Sequence, residues 1–252
     1  MNLLGWLFGK SEPPSVSEDD WRNALALPLF ARLNETERTR LRTLAERLIR
    51  GKAFSAAAGA EIDGAVCATI AVQAALPVLN LDIDSYGRWQ EIIIYPAEFV
   101  PEREEMDDAG VVHHVRHPMS GEAWEGGPVV LSLEDVAWSG LCDGYNVVIH
   151  EFAHKLDMAN GAANGLPRLH SGIRTEEWAG AFTPAFEHFC RRVNVGEETE
   201  IDSYASENPA EFFAVLTEYF FELPVVLHQS YPAVYGLMQR YYRQDPLSRG
   251  PA

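Results

Sequence analysis

The sequence predicts an α+β protein, because helical patterns at both ends of the chain enclose a run of short strand patterns. Size is a second observation: 252 residues with 47% hydrophobic side chains suffice for a substantial core. A third is continuity, since no internal repeat or low-complexity tract interrupts the chain. That length allows one large domain or two small ones. The pattern is read as one mostly helical domain with a small sheet over residues 21–245, flanked by tails at 1–20 and 246–252, the first flexible.

Ser11 to Ser17, with Pro13 and Pro14, reads as a loop entering the domain. Asn34 followed three residues later by Glu37 forms a capping box. Leu41, Leu44 and Leu48 then give one apolar face to a helix reaching about Arg50, and its Arg and Glu positions form a solvated face. Val66 to Leu81 is alanine-rich and apolar, a buried helix interrupted near Pro77. Strand patterns follow at Glu91 to Val100, Val111 to Val115 and Val129 to Leu133. Pro101 to Asp108 and Met119 to Gly127 read as loops between them. Asp143 is the expected N-cap of the next helix and Asn160-Gly161 its stop. Tyr145, Ile149, Phe152 and Leu156 form its apolar stripe. After a loop from Gly161 to Gly172 come helices over Thr175 to Asn194, with Pro184 inside, Pro209 to Phe221, and Pro232 to Tyr242.

Charge narrows the function classes. The formal net charge is −17, which repels a polyanion and argues against direct nucleic-acid binding. Cys67, Cys142 and Cys190 have no spacing that suggests a disulfide framework or a thiolate metal site. Met1 to Lys10 has a short apolar stretch without a charged region before it, so a signal peptide is not expected. The patch Leu3, Leu4, Trp6, Leu7 and Phe8 reads as a floppy terminus, with docking on a surface as the alternative, and no segment reaches membrane-spanning length. The expectation is a cytoplasmic protein without a membrane partner.

The most informative feature is His150-Glu151-Phe152-Ala153-His154, an HExxH pattern typical of zinc-dependent peptidases. Residues four apart share one helix face, so both imidazoles can reach one ion. The intervening Glu151 reaches the edge of that site, where it can take a proton from metal-bound water. The bland alternative is a helix with two satisfied histidines near the core.

Two histidines do not hold catalytic zinc alone. A continuation with Gly and a third His fails here, because Asp157 and Asn160 occupy those positions. A carboxylate from a later helix is the main alternative. Glu211 is the best candidate, since it follows Asn208-Pro209-Ala210, where a helix should start. Glu218, two turns further along the same face, and Glu207, one turn earlier, are rivals whose bland reading is a solvated or supporting carboxylate. Asp157 could orient a ligand or pair with an Arg. His113, His114 and His117 form a second candidate cluster, but His113 and His114 face opposite ways on a strand. A surface or cleft-edge role suits them better.

Beyond HExxH, the whole run from Asp143 to Asp157 resembles the Mlc titration factor A family of zinc peptidases. So do Leu27-Pro28-Leu29, Ala74 to Leu81, Tyr95-Pro96-Ala97-Glu98-Phe99, Gly127 to Ser132 and Pro209 to Phe221. The resemblance covers roughly Trp21 to Tyr242 and weakens before Trp21. The family's site region is also similar to the catalytic domain of anthrax lethal factor, including a Tyr seven positions before the glutamate ligand, here Tyr204 (211 − 204). The resemblance implies a zincin-like, gluzincin-like domain with one zinc held by His150, His154 and Glu211. It implies Glu151 as general base, Tyr204 as an auxiliary group, and aminopeptidase-like activity in the cytoplasm. In enteric bacteria it also implies binding to the Mlc repressor of the glucose phosphotransferase system.

Three readings therefore stand. The first is a zinc peptidase acting on peptide substrates, with a strand such as Glu91 to Val100 or Val129 to Leu133 bordering the active-site cleft. The second is a regulatory protein that sequesters a transcription factor, with proteolysis incidental. The third is a zinc-stabilised domain without turnover, which Glu151 argues against.

Overall fold

The structure is a computed structural model that describes residues 14–100, 103–106, 112–115 and 119–249. It is mostly helical, with a small mixed four-stranded sheet, so the α+β class holds. The N-terminal apolar patch and His117 lie outside the described residues.

Helix α1 (Glu18–Ala24) begins inside the expected N-terminal tail because Ser17 and Asp20 form a capping box. Helix α2 (Glu35–Gly51) starts at the expected Asn34–Glu37 box and buries Leu41, Leu44 and Leu48. Strand β1 (Ala53–Ala56) follows; Ala-Phe-Ser-Ala carries little strand signal and was not anticipated. Helix α3 (Gly64–Ala75) is capped by Asp63 and buried almost all round. It begins two residues earlier and ends sooner than the composition suggests.

Strand β2 (Glu91–Tyr95) is shorter than expected and alternates half-buried with buried side chains. Strands β3 (Arg103–Met106) and β4 (Val112–Val115) pair antiparallel as a separate hairpin, so part of the expected Pro101–Asp108 loop is strand. The expected Met119–Gly127 loop contains strand β5 (Gly121–Ala123), which pairs antiparallel with β6 (Val129–Ser132). The sheet order is β1-β2-β6-β5, with β1, β2 and β6 parallel. Because β2 and β6 each have two strand neighbours, neither of the expected cleft strands offers a free edge. Among the described residues, the sheet edge nearest the HExxH helix is β5, which packs on it.

Ser132 caps the short helix α4 (Leu133–Trp138). Helix α5 (Val147–Asp157) carries the HExxH run. Its N-cap is Asn146, whose Oδ1 accepts from Ile149 N at 2.9 Å, rather than Asp143. Asp143 caps only a turn, accepting from Tyr145 N at 3.0 Å. Gly144 separates the two at φ +100°, a left-handed conformation no helix continues through. Tyr145 therefore precedes the helix, and its stripe reduces to Ile149, Phe152 and Leu156. Phe152 anchors α5 by edge contacts to Tyr86 and Trp89, with ring centroids at 5.0 and 5.5 Å.

Helices α6 (Thr175–Asn194, with Pro184 inside), α7 (Pro209–Glu222), α8 (Pro224–Ser230) and α9 (Pro232–Tyr242) complete the chain. Helix α7 is buried on nearly every side and packs along α5. The expected C-terminal tail is attached where it is described: Leu247 packs on the core and Arg249 bonds Glu37 at 3.0 Å.

Candidate metal centre

Helices α5 and α7 bring three donor atoms together. His150 and His154 lie one turn apart on α5, and their Nε2 atoms are 3.1 Å apart. Glu211 lies in the first turn of α7, where Asn208 caps the amides of Ala210 and Glu211 and Pro209 opens the helix. Its Oε2 stands 3.0 Å from His150 Nε2 and 3.2 Å from His154 Nε2. Among the described residues these three form the group able to hold a metal ion. Burial opposes charge on His150, but its bonds to Glu211 and Glu218 outweigh that and hold its pKa well above the usual imidazole value. Burial likewise opposes the Glu211 carboxylate, and the two imidazoles overcome it and hold its pKa well below the usual range.

The rival carboxylates fall into distinct places. Glu218 is buried, and its Oε1 meets His150 Nδ1 at 2.8 Å while Oε2 accepts from Asn146 N. One carboxylate thus orients the ring and holds the start of the helix that carries it. Asn146 Nδ2 bonds Gln73 at 2.7 Å and Glu222 at 2.8 Å, extending this polar network behind the site. Glu207 is exposed, outside the donor group. Asp157 Oδ2 accepts from the amides of Asn164 and Gly165 at 2.8 and 2.7 Å, so it ties the loop after α5. His113 and His114 stand on β4 in register with Glu105 and Glu104.

Glu151 is 4% exposed, and its Oε2 has no hydrogen-bond partner among the described residues. Burial pushes its carboxyl up to about 7, although both histidines pull the other way. It lies against β5, where a Cβ on Gly121 would be 2.5 Å from Glu151 Oε1. Tyr204 sits in a short helical turn at Ser203–Ser206, 46% exposed, with its ring centroid 6.1 Å from that of His150. A cavity of about 320 Å³ opens beside these groups, lined by Gly121, Tyr145, His150, Glu151, Tyr204 and Glu218 among others. Sequence reasoning missed Asn146, Gly121 and the bond from Glu218 to His150. The last had a usable signal, because a metal-binding histidine normally offers its second nitrogen to a carboxylate.

Two histidines and a glutamate on packed helices, with a buried carboxylate between them, form a candidate metal site in an α+β protein. A family model described as glucose-regulated metallo-peptidase M90 matches residues 10–243, and the chain belongs to that family. It is 39% identical over 251 residues to Mlc titration factor A of Yersinia pestis (strain Pestoides F), covering 98% of this chain and 92% of the relative. The same identity and coverage hold for Mlc titration factor A of Yersinia pseudotuberculosis serotype O:1b (strain IP 31758). No helix among the described residues is long and apolar enough to cross a membrane.

Proposed function

We propose that the chain is a zinc-dependent peptidase, with a single zincin-like domain over residues 21–245 and one zinc held by His150, His154 and Glu211. The observation that carries this reading is three donors at 3.0–3.2 Å from one another beside a buried carboxylate with an unpartnered oxygen. Tetrahedral zinc with N and O ligands at about 2.0–2.1 Å has neighbouring donors roughly 3.3–3.4 Å apart. The donors stand close to that spacing, and their chemistry suits zinc.

Held by His150, His154 and Glu211, zinc would supply Lewis acidity and a water of lowered pKa. The chain's own groups do the rest. Glu151, buried beside the donors, accepts a proton from the attacking water and returns it to the leaving amine. Its shielded position keeps bulk water from competing for that proton. Tyr204 donates a hydrogen bond to the developing oxyanion. Strand β5, an edge strand among the described residues, would offer backbone groups to an extended peptide. Aminopeptidase-like turnover in the cytoplasm belongs to the same proposal.

A second reading is favoured by the name of the Yersinia relatives, Mlc titration factor A. On it, the protein acts chiefly by binding an Mlc-like transcriptional repressor, with hydrolysis incidental. The deciding measurement is zinc content of the purified protein together with turnover of a panel of aminoacyl and peptide substrates. One zinc per chain is expected, and chelation should remove both metal and hydrolysis. Stoichiometric zinc in the His150→Ala/His154→Ala protein would place the site elsewhere. A zinc-loaded chain inert on every substrate would leave the binding reading.

A further inference from the structure

The hairpin formed by β5 and β6 is fastened to α5 at two points, neither of which belongs to the donor group. At the first, Gly121 and Glu151 pack so closely that a Cβ would strike the Glu151 side chain at 2.5 Å. The second is Lys155, four residues after Glu151 and one turn along the same helix face. Lys155 is 2% exposed. Its Nζ donates to Trp124 O at 2.8 Å and to Gly127 O at 3.0 Å. These carbonyls sit in the turn that joins β5 to β6, which also closes through Gly127 N to Trp124 O at 3.0 Å and Trp124 N to Pro128 O at 3.1 Å. The Trp89 ring lies 5.4 Å from the same ammonium, a contact that favours its charge.

A buried ammonium is costly unless it is well bonded, and an apolar side chain would fill this space without that cost. What the lysine adds is a directed tie between a helix and a turn that no apolar group can make. Strand β5 has only three residues and one full strand neighbour, too little to fix its own position. We propose that Lys155 is a positioning residue: it sets the depth of the β5 edge relative to Glu151, and so the register of an extended peptide against the base. The inference rests on the peptidase reading above. Gly121 fixes one end of the strand and Lys155 the other, on the helix face that presents the base. Without the tie, the turn end of the hairpin swings about Gly121, and displacements near 1 Å suffice to cost about a hundredfold in rate.

The test uses full-length, zinc-loaded Lys155→Met and Lys155→Gln. Metal content should match the parent, because the donors are untouched. For a peptide long enough to lie along β5, kcat/KM should fall about tenfold or more, with most of the loss in kcat. For a small aminoacyl anilide, which does not extend along the strand, both constants should change less than about threefold. Amide hydrogen exchange should quicken in 121–131 and stay unchanged in β1 and β2. If Lys155→Met fails to fold, Lys155→Gln keeps a donor at shorter reach and reads the same split. Parallel losses on both substrates, or exchange that quickens throughout the sheet, would show a merely structural lysine and overturn the proposal. Should the parent hydrolyse neither substrate, the peptidase reading fails first. Unchanged protection at β5 would then reject the tie on its own terms.

Discussion

Helices α5 and α6 show how differently a polar side chain must be read according to its surroundings. Ten of the eleven residues of α5 are buried, against four of the twenty in α6. On α6 the charged residues meet water, as Glu187 does, or make exposed ion pairs such as Arg192 with Glu197. Their job is to keep one face solvated. On α5 the polar residues Glu151, His154, Lys155 and Asp157 are all buried, and burial of such groups costs free energy unless partners or a function compensate. Helix α7 repeats the pattern with Glu218 and Glu222. The difference teaches that the buried polar groups of this core gather in the candidate metal site and in the ties that hold its helices and loops, while the far more numerous charges of the surface do neither.

The largest effect that would test this contrast comes from Glu151→Gln. The change keeps size and burial but removes the base. On zinc-loaded protein, peptide turnover should fall by 10²- to 10⁴-fold, with metal content unchanged. The same variant separates the two functional readings, because a partner-binding surface apart from the cleft should still titrate its repressor in cells. Full turnover in Glu151→Gln would sink the assigned mechanism.

Next in size is Glu218→Gln. It weakens the acceptor for His150 Nδ1 and for Asn146 N while leaving all three donor side chains in place. Zinc affinity, measured by competition with a chelator, should fall about 10- to 100-fold. Glu207→Gln, at an exposed position, should leave affinity where it is. Equal effects from the two would mean that burial does not distinguish supporting carboxylates from solvated ones.

Much of the helix pair that carries the candidate site was legible because its signals are local. The spacing of His150, Glu151 and His154 and the Asn208-Pro209 helix start lie within a few residues, and α6 and α9 have the expected bounds. What escaped depends on long-range packing. Strand β5 reads Gly-Glu-Ala, with no β-branched residue to announce it, and exists because β6 lies beside it. Lys155 looks like an ordinary helix-end cation until the turn at Trp124 to Gly127 folds over it. Asp143 and Asn146 are equally good caps on paper, and the conformation of Gly144 decides between them.

A smaller effect should appear in the pH dependence of stability through Glu222. Its oxygens accept from Asn146 Nδ2 and Cys142 N, yet burial pushes its carboxyl up to about 7. A carboxyl with a raised folded pKa keeps its proton in the native state between about 4.5 and 7, while the unfolded chain has lost it. The native state binds more protons there, so stability falls as pH rises through that window, and the contribution is gone above it. In urea unfolding of zinc-loaded protein, Glu222→Gln should remove about 1–2 kcal/mol of the decline between pH 5 and 7.5. An unchanged slope would mean Glu222 is ionised throughout.

The smallest effect belongs to α6, and it is the control on which the contrast depends. Glu187 is exposed in the middle of the helix, and no hydrogen bond or ion pair reaches it among the described residues. Arg191 stands four residues on, the favourable order for a helix pair, but the two form no ion pair. Water therefore solvates the carboxylate in both folded and unfolded states, and folding gains little from it. Glu187→Gln should shift Tm by less than about 2 °C, with zinc affinity and peptide turnover unchanged. The substitution has the same chemistry as Glu151→Gln and Glu218→Gln, so only the surroundings differ. A tenfold change in affinity or turnover from this one would show that surface charge couples to the metal centre through the field of a −17 protein. Burial would then no longer separate the two helices.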